Sequence, residues 1–438
     1  VVVAVLAVGI TASTWQAVRA RRAEADTRLA LKDVEAERDA KDQARRTAED
    51  RFEMANAAVD KYLNEVTDDE DLKRSDFNKL RKKLLETAVP FYQKLAEQRP
   101  GDDKQQAAQA RAHGRLAYLS HEMGDTETAL GEYEAMQTLF AQLADDFPTI
   151  SAHRQGLAAS EANLGALLQA RGRVEDAHKH YETAVGLQQK LVEDFPAVPA
   201  HRHELAQSHN NLGILLRARG RGDDAQKQYE LAISLQQQLA DDFPMVPAYR
   251  RALARSHSNL GILLQARGRA DDAQKHYDLA LGLQQELVAD FPTVRAYRQE
   301  FAGSQSNLGG LLLTRGRADD AQKRYEVAIG LRQRLAADFP TVPTYRQELA
   351  DSHSRLGILL MGRGWSDDAQ KHYELALGIH QKLAADFPDI VAYRVNLAGY
   401  QCNFGNLLIE LRKPTEALAW YGRAIATLEG VLKQVKTD

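Results

Sequence analysis

The stretch that decides the fold is Ser258–Pro292, SNLGILLQARGRADDAQKHYDLALGLQQELVADFP. Leu260, Leu263 and Leu264 share one face at helical spacing. Gly268, inside ARGR, stands where a helix end needs positive φ, and Arg267 beside it suits the negative end of the helix dipole. Asp271 and Asp272 fall in the first turn of a second helix, where acids are favoured. Ala273, Tyr277, Ala280, Leu283 and Leu287 continue that helix as its buried stripe, and Pro292 stops it. The stretch is a helical hairpin.

Near-copies recur along the chain. Phe-Pro occurs from Phe147-Pro148 to Phe387-Pro388 with a constant step of 48 residues. Gly165, Gly213, Gly261, Gly309, Gly357 and Gly405 keep the same step, as do the tyrosines from Tyr133 to Tyr421. Three markers in one register define a repeat architecture. One hairpin cannot stand alone: about ten buried side chains at roughly 1.5–3 kcal/mol each do not offset ordering at roughly 1.5 kcal/mol per residue. Neighbouring units must supply the rest. The expected fold is all-α, a right-handed superhelical solenoid of stacked antiparallel helix pairs.

The spacing of Leu260, Gly261, Leu264, Ala273, Tyr277 and Ala280 resembles the tetratricopeptide repeat, a helix-turn-helix unit of about 34 residues. The longer step here implies about two extra turns in each helix, those of the first helix lying in segments such as Pro247 to Leu253. The resemblance covers roughly Asp102 to Lys433. Residues 100–438 read as seven such units. Residues 51–99 read as a degenerate capping repeat with an acidic connector at Asp68 to Asp71. The last unit replaces ARGR with Leu411-Arg412-Lys413-Pro414.

In the family the first helix of each unit lines a concave groove, so the resemblance implies that a protein or extended peptide binds there. Two residues before the repeat glycine stand Asn163, Asn211, Asn259, Asn307 and Asn403, with Arg355 breaking the series. An amide can both donate to and accept from a peptide backbone. It can equally tie neighbouring helices together, and the residues alone leave both readings open. Ile214, Ile262 and Ile358 follow the glycine, and Gln169, Arg217 and Gln265 lie one turn further on. A clamp for a chaperone tail, which uses lysines, is disfavoured because the position three before the glycine is never lysine.

Other functions find little support. The charges nearly balance, 57 basic against 61 acidic residues for a net −4, which leaves no nucleic-acid footprint. Cys402 is the single cysteine, so a disulfide framework and a cysteine-based zinc site are excluded. No P-loop, dinucleotide fingerprint or metalloprotease motif occurs, and no cofactor or catalytic residue is assigned. The acid pairs Asp223-Asp224, Asp271-Asp272 and Asp319-Asp320 recur with the fold, as helix-start charge does. His209, His257 and His353, and separately His180, His276 and His372, recur in different units without a local second ligand. Surface or groove histidines are the expected reading, with metal binding the sharper alternative. An enzyme would need a non-repeating polar pocket, for which His121, His380 and Trp420 are loose candidates.

The N-terminal part differs. Residues 1–15, VVVAVLAVGITASTW, carry no charge and precede Arg19, Arg21 and Arg22, which reads as a truncated transmembrane helix ending at an interfacial tryptophan. Residues 16–50 form a charged juxtamembrane helix with alternating acids and bases, able at most to associate weakly with a second copy. This order of parts, with AAVDKYLNEV (57–66) and LRKKLLETAVPFYQKLAEQRP (80–100), resembles the C-terminal half of membrane-anchored serine/threonine kinases of planctomycete-type bacteria. That resemblance implies a kinase domain before Val1 and a regulatory, partner-binding role for the repeats. A free-standing soluble scaffold is the alternative. The side of the membrane is left open, since an ATP-using domain before a single span places the repeats outside while the arginines after Trp15 favour the cytoplasm.

Overall fold

The computed structural model describes scattered residues between 15 and 66, then 78–97, 102–388 and 390–435. The chain divides into two units, Val1–Asp68 and Asp69–Asp438.

In the first unit residues 27–29 and 31–41 are helical and exposed, with Leu29, Leu31 and Val34 open to solvent. Arg28–Glu24 and Lys41–Glu37 are ion pairs one turn apart, as a solvated charged helix allows. Residues 1–14 of the expected span lie outside the described residues. No helix among the described residues is long and apolar enough to cross a membrane.

The second unit begins with two short helices, α1 (Asn78–Glu86) and α2 (Val89–Ala96). The acidic connector expected at Asp68 to Asp71 lies outside the described residues. Seven longer helix pairs follow among the described residues. They are α3 (Asp103–Glu122) with α4 (Thr126–Asp146), α5 (Ser151–Ala170) with α6 (Val174–Asp194), and α7 (Pro199–Ala218) with α8 (Gly222–Asp242). Next come α9 (Pro247–Ala266) with α10 (Ala270–Asp290), α11 (Arg295–Thr314) with α12 (Ala318–Asp338), and α13 (Pro343–Gly362) with α14 (Ser366–Asp386). The series ends with α15 (Val391–Glu410) and α16 (Pro414–Val435). Each helix packs on its sequence neighbours, and first helices of consecutive pairs also touch. The result is an all-helical stack of adjacent pairs, with one apolar core running from Ala107 to Ala417.

The marker residues explain how a pair closes. A Cβ on Gly261 would stand 2.8 Å from the Tyr277 ring, and on Gly213 it would stand 2.7 Å from Tyr229. The repeated glycine and tyrosine are therefore two halves of one contact, in which a bare backbone lets the ring lie flat against the first helix. At the turn Gly268 takes φ +74°, and the Arg269 amide donates to the Leu264 carbonyl, capping the first helix.

The added length has its own lock. Arg154, Arg202, Arg250, Arg298 and Arg346, in the first turn of their helices, bond Asp194, Asp242, Asp290, Asp338 and Asp386 at the far ends of their partner helices, at 2.6–2.9 Å. The Phe of each Phe-Pro caps the second helix and meets an aromatic ring opening the next pair, as in Phe243–Tyr249 and Phe291–Tyr297. Pro292 ends α10 but does not open the next helix; Pro199, Pro247 and Pro343 do that at the first helical position.

The acid pairs divide their work. The second acid binds the arginine of its own turn, as Asp272 does with Arg269 at 2.7 Å. The first reaches the next pair: Arg267 bonds Asp223 at 2.5 Å, Arg315 bonds Asp271 at 2.6 Å and Arg363 bonds Asp319 at 2.6 Å. Arg267 thus serves a bridge between pairs in addition to its place at a helix end.

Candidate partner-binding face

The candidate residues sit on the first helix of each pair because its opposite face is committed to the core. In α9 the buried positions are Leu253, Ala254, Ser256, His257, Leu260, Gly261, Leu263 and Leu264, leaving Asn259, Ile262 and Gln265 half-buried along the remaining strip. The same period places Asn211, Ile214 and Arg217 half-buried on α7. Asn307 is half-buried on α11. Asn163 and Asn403 are exposed, and so are Arg355 and Ile358, the latter 54%.

The two readings of the asparagine series separate here. Asn259 donates its amide to the Asn210 side-chain oxygen at 3.0 Å, and Ser256 donates to the same oxygen at 3.3 Å. This amide fixes the stack. Among the described residues the side chains of Asn163, Asn211, Asn307 and Asn403, on α5, α7, α11 and α15, show no such bond, so their donors and acceptors face outward.

The glutamines are less free than their spacing implies. The Tyr277 hydroxyl donates to the Gln265 oxygen at 2.9 Å and Tyr181 donates to Gln169 at 3.2 Å, leaving each glutamine its NH2. Burial pushes both phenols up, Tyr181 to about 12, so they stay donors at neutral pH. Arg217 takes the glutamine position on α7 and lies beside the Tyr229 phenol. Ile214 and Ile262 pack partly on the core, giving the strip an apolar base.

Further ties run along these helices. Gln155 bonds Glu204 at 2.6 Å, Arg251 bonds Glu300 at 2.8 Å and Gln299 bonds Glu348 at 2.7 Å, each reaching one pair onward.

A buried column on the second helices changes character at α12 and α14. The column Gln188, Gln236, Gln284 becomes Arg332, 8% exposed, then His380, fully buried. Arg332 bonds Ser306 at 3.2 Å and also Ser352, and lies 3.7 Å from Glu348. Burial lowers its pKa while Glu348 and Asp351 work against that. His380 stacks on Tyr400 at 4.0 Å, and the Tyr400 hydroxyl donates to Asp351. Burial and the Asp351 carboxylate push the phenol upward. Only His380 of this cluster was singled out by sequence; the break in the 48-step column is the signal that would have found the rest.

His121 and Trp420 do not join it. Trp420 packs edge-on against Phe404 at 5.0 Å with Arg423 over its face. The histidines also pair differently from expectation. The two recurring sets meet within a pair: His257 faces His276 and His353 faces His372 through their Nδ1 atoms, at 3.0 and 2.9 Å. The facing group absent nearby in sequence is supplied by the other helix, nineteen residues on.

Family models agree with the repeat reading over part of the chain. Residues 157–201 and 204–286 match family models described as tetratricopeptide repeat. Among solved structures, BtubC from P. vanneervenii is 22% identical, covering 59% of this chain and 91% of its own, with a TM-score of 0.47. The apo form of RapI is 14% identical over 70% of this chain and 96% of its own, with a TM-score of 0.44. The apo form of the quorum sensor NprR from B. thuringiensis is 11% identical over 86% of this chain and 99% of its own, also at 0.44. No curated protein matches. Residues 157–201 and 204–286 thus match the tetratricopeptide repeat, a unit that generally serves as a protein–protein interaction scaffold, and the neighbouring hairpins keep the same 48-residue step.

Proposed function

We propose that the chain holds a protein or extended peptide against the first helices of its pairs. The observation that carries this reading is the row of outward amides at Asn163, Asn211, Asn307 and Asn403, on four of the seven described pairs, over the half-buried apolar base of Ile214 and Ile262. Amides spaced along a stack match the repeating donors and acceptors of an extended backbone, and a solenoid offers them over a long surface. Changing Asn163, Asn211 and Asn307 together to alanine tests it. Recovery of cross-linked partner is expected to fall at least about tenfold, equivalent to about 1.4 kcal/mol, with thermal unfolding little changed. Full recovery with the triple variant refutes the reading. Asn259→Ala alone is the control for the stacking bond.

We infer further that the repeats are tethered to a membrane and act beside a serine/threonine kinase-like domain. The uncharged run of residues 1–15 supports the tether, as does exposed Trp15 with the Arg19 guanidinium 5.3 Å over its ring, an arrangement suited to a headgroup boundary. Release of the full-length protein from membranes by alkaline washing refutes the tether.

A further inference from the structure

Nineteen residues separate two facing positions that recur from pair to pair, and the residues that fill them vary along the stack. Glu161 meets His180 at 2.6 Å, His209 meets Gln228 at 2.6 Å, and Gln305 meets Arg324 at 3.2 Å. Hydrogen bonding across the pair is thus satisfied by several residue combinations. In α9–α10 and α13–α14 both positions are histidine. Their rings meet head to head, with Nδ1 atoms 3.0 and 2.9 Å apart and ring planes tilted by 32° and 34°.

We propose that each of these two histidine pairs is a binding site for a divalent transition-metal ion such as Zn2+. Two imidazole nitrogens each about 2.0–2.1 Å from one zinc ion stand roughly 2.9–3.4 Å apart at ordinary ligand angles. The observed separations fall in that span. In the neutral pair one ring carries its proton on Nδ1 and bonds the other. To bind metal, that proton moves to Nε2 by tautomer exchange, and both Nδ1 lone pairs become ligands with no net proton release. The rings must also turn about their Cβ–Cγ bonds so that the lone pairs converge beside the N–N line. His257 and His353 are buried and anchor one side, while His276 and His372 are half-buried and reach solvent. Negative charge lies on the open side. Asp272 and Glu230 act on His276, and Asp368 and Glu326 act on His372. Among the described residues no third ligand joins either pair, so water completes the coordination.

The stack itself supplies a benign substitution, because glutamine already occupies these positions at Gln228 and Gln305. Equilibrium dialysis of the full chain against Zn2+ near pH 7.5, where neutral histidine is the competent ligand, is the test. His257→Gln is expected to lose one bound equivalent relative to wild type. The variant carrying both His257→Gln and His353→Gln is expected to lose two, with unchanged far-UV circular dichroism. Equal zinc uptake by wild type and the double variant overturns the proposal, as does no uptake by wild type; the pairs are then hydrogen-bonded rungs only. His276→Gln serves as the second variant, since it removes the same site from the other helix.

Discussion

The pair α9–α10, inside the stack, and the pair α15–α16, last of the series, use the same plan with different fillings. Both press a tyrosine against a repeat glycine: a Cβ on Gly261 would stand 2.8 Å from Tyr277, and on Gly405 2.7 Å from Tyr421. Tyr277 is 1% exposed, in a pair over which α11 closes, while Tyr421 is only half-buried. Arg267 reaches back to Asp223, whereas the corresponding residue of the last pair is Leu411. The facing histidines of α9–α10 are replaced by Gln401 and Trp420. On α16, Leu418, Ile425, Leu428 and Leu432 are exposed, and Leu428 takes the column position that is glutamine in three interior pairs. The difference teaches that closing a pair and joining it to its neighbours are separate tasks carried by separate residues.

The largest way to sharpen this comparison is to remove the tyrosine in each pair. Tyr277→Ala is expected to cost about 3–5 kcal/mol in urea unfolding, as loss of a fully buried aromatic does. Tyr421→Ala should cost roughly half as much, since part of its surface is already in water. Equal losses would break the claim that burial by the next pair sets the value.

Acid separates the two pairs next. Burial and the neighbouring His276 hold His257 down at about 4, and His353 lies at about 4 for the same reasons beside His372. Asp272 and Glu230 pull His276 upward while Arg269 and Lys275 oppose them, and burial leaves its pKa below the ordinary value. The folded state therefore prefers neutral rings, and the unfolded chain binds protons first. Stability from these groups is complete above about pH 6.5, the ordinary histidine value, and is lost as pH falls toward 4. Urea midpoints at descending pH should fall over that window, and less so with His257→Gln and His353→Gln. An unchanged slope in the double variant would contradict this.

The smallest effect is expected at the bridge the last pair lacks. Arg267→Ala removes an ion pair whose acid is 83% exposed, so the change should be within about 1 kcal/mol and shrink further in salt. A loss that persists in high salt would show that Arg267 acts through packing.

Much of this molecule was legible in its repeats. The 48-residue step located the hairpins, the turn glycines and the buried stripe, because helix periodicity and the sterics of a left-handed turn act over short distances. The candidate asparagines were also visible as a column. Their roles were not, because Asn259 is tied to Asn210 on another helix 49 residues away and the sequence holds no sign of that distance. Gln265 likewise lost half its hydrogen-bonding capacity to a tyrosine across the pair.

By itself, then, the sequence determined the unit, its length and the all-helical class, since these rest on local propensity and periodic burial. Only the tertiary structure decided which repeated polar residues face outward and which face each other. It turned the acid pairs into bridges and brought His257 against His276, because both depend on how neighbouring helices are set, which no single helix specifies.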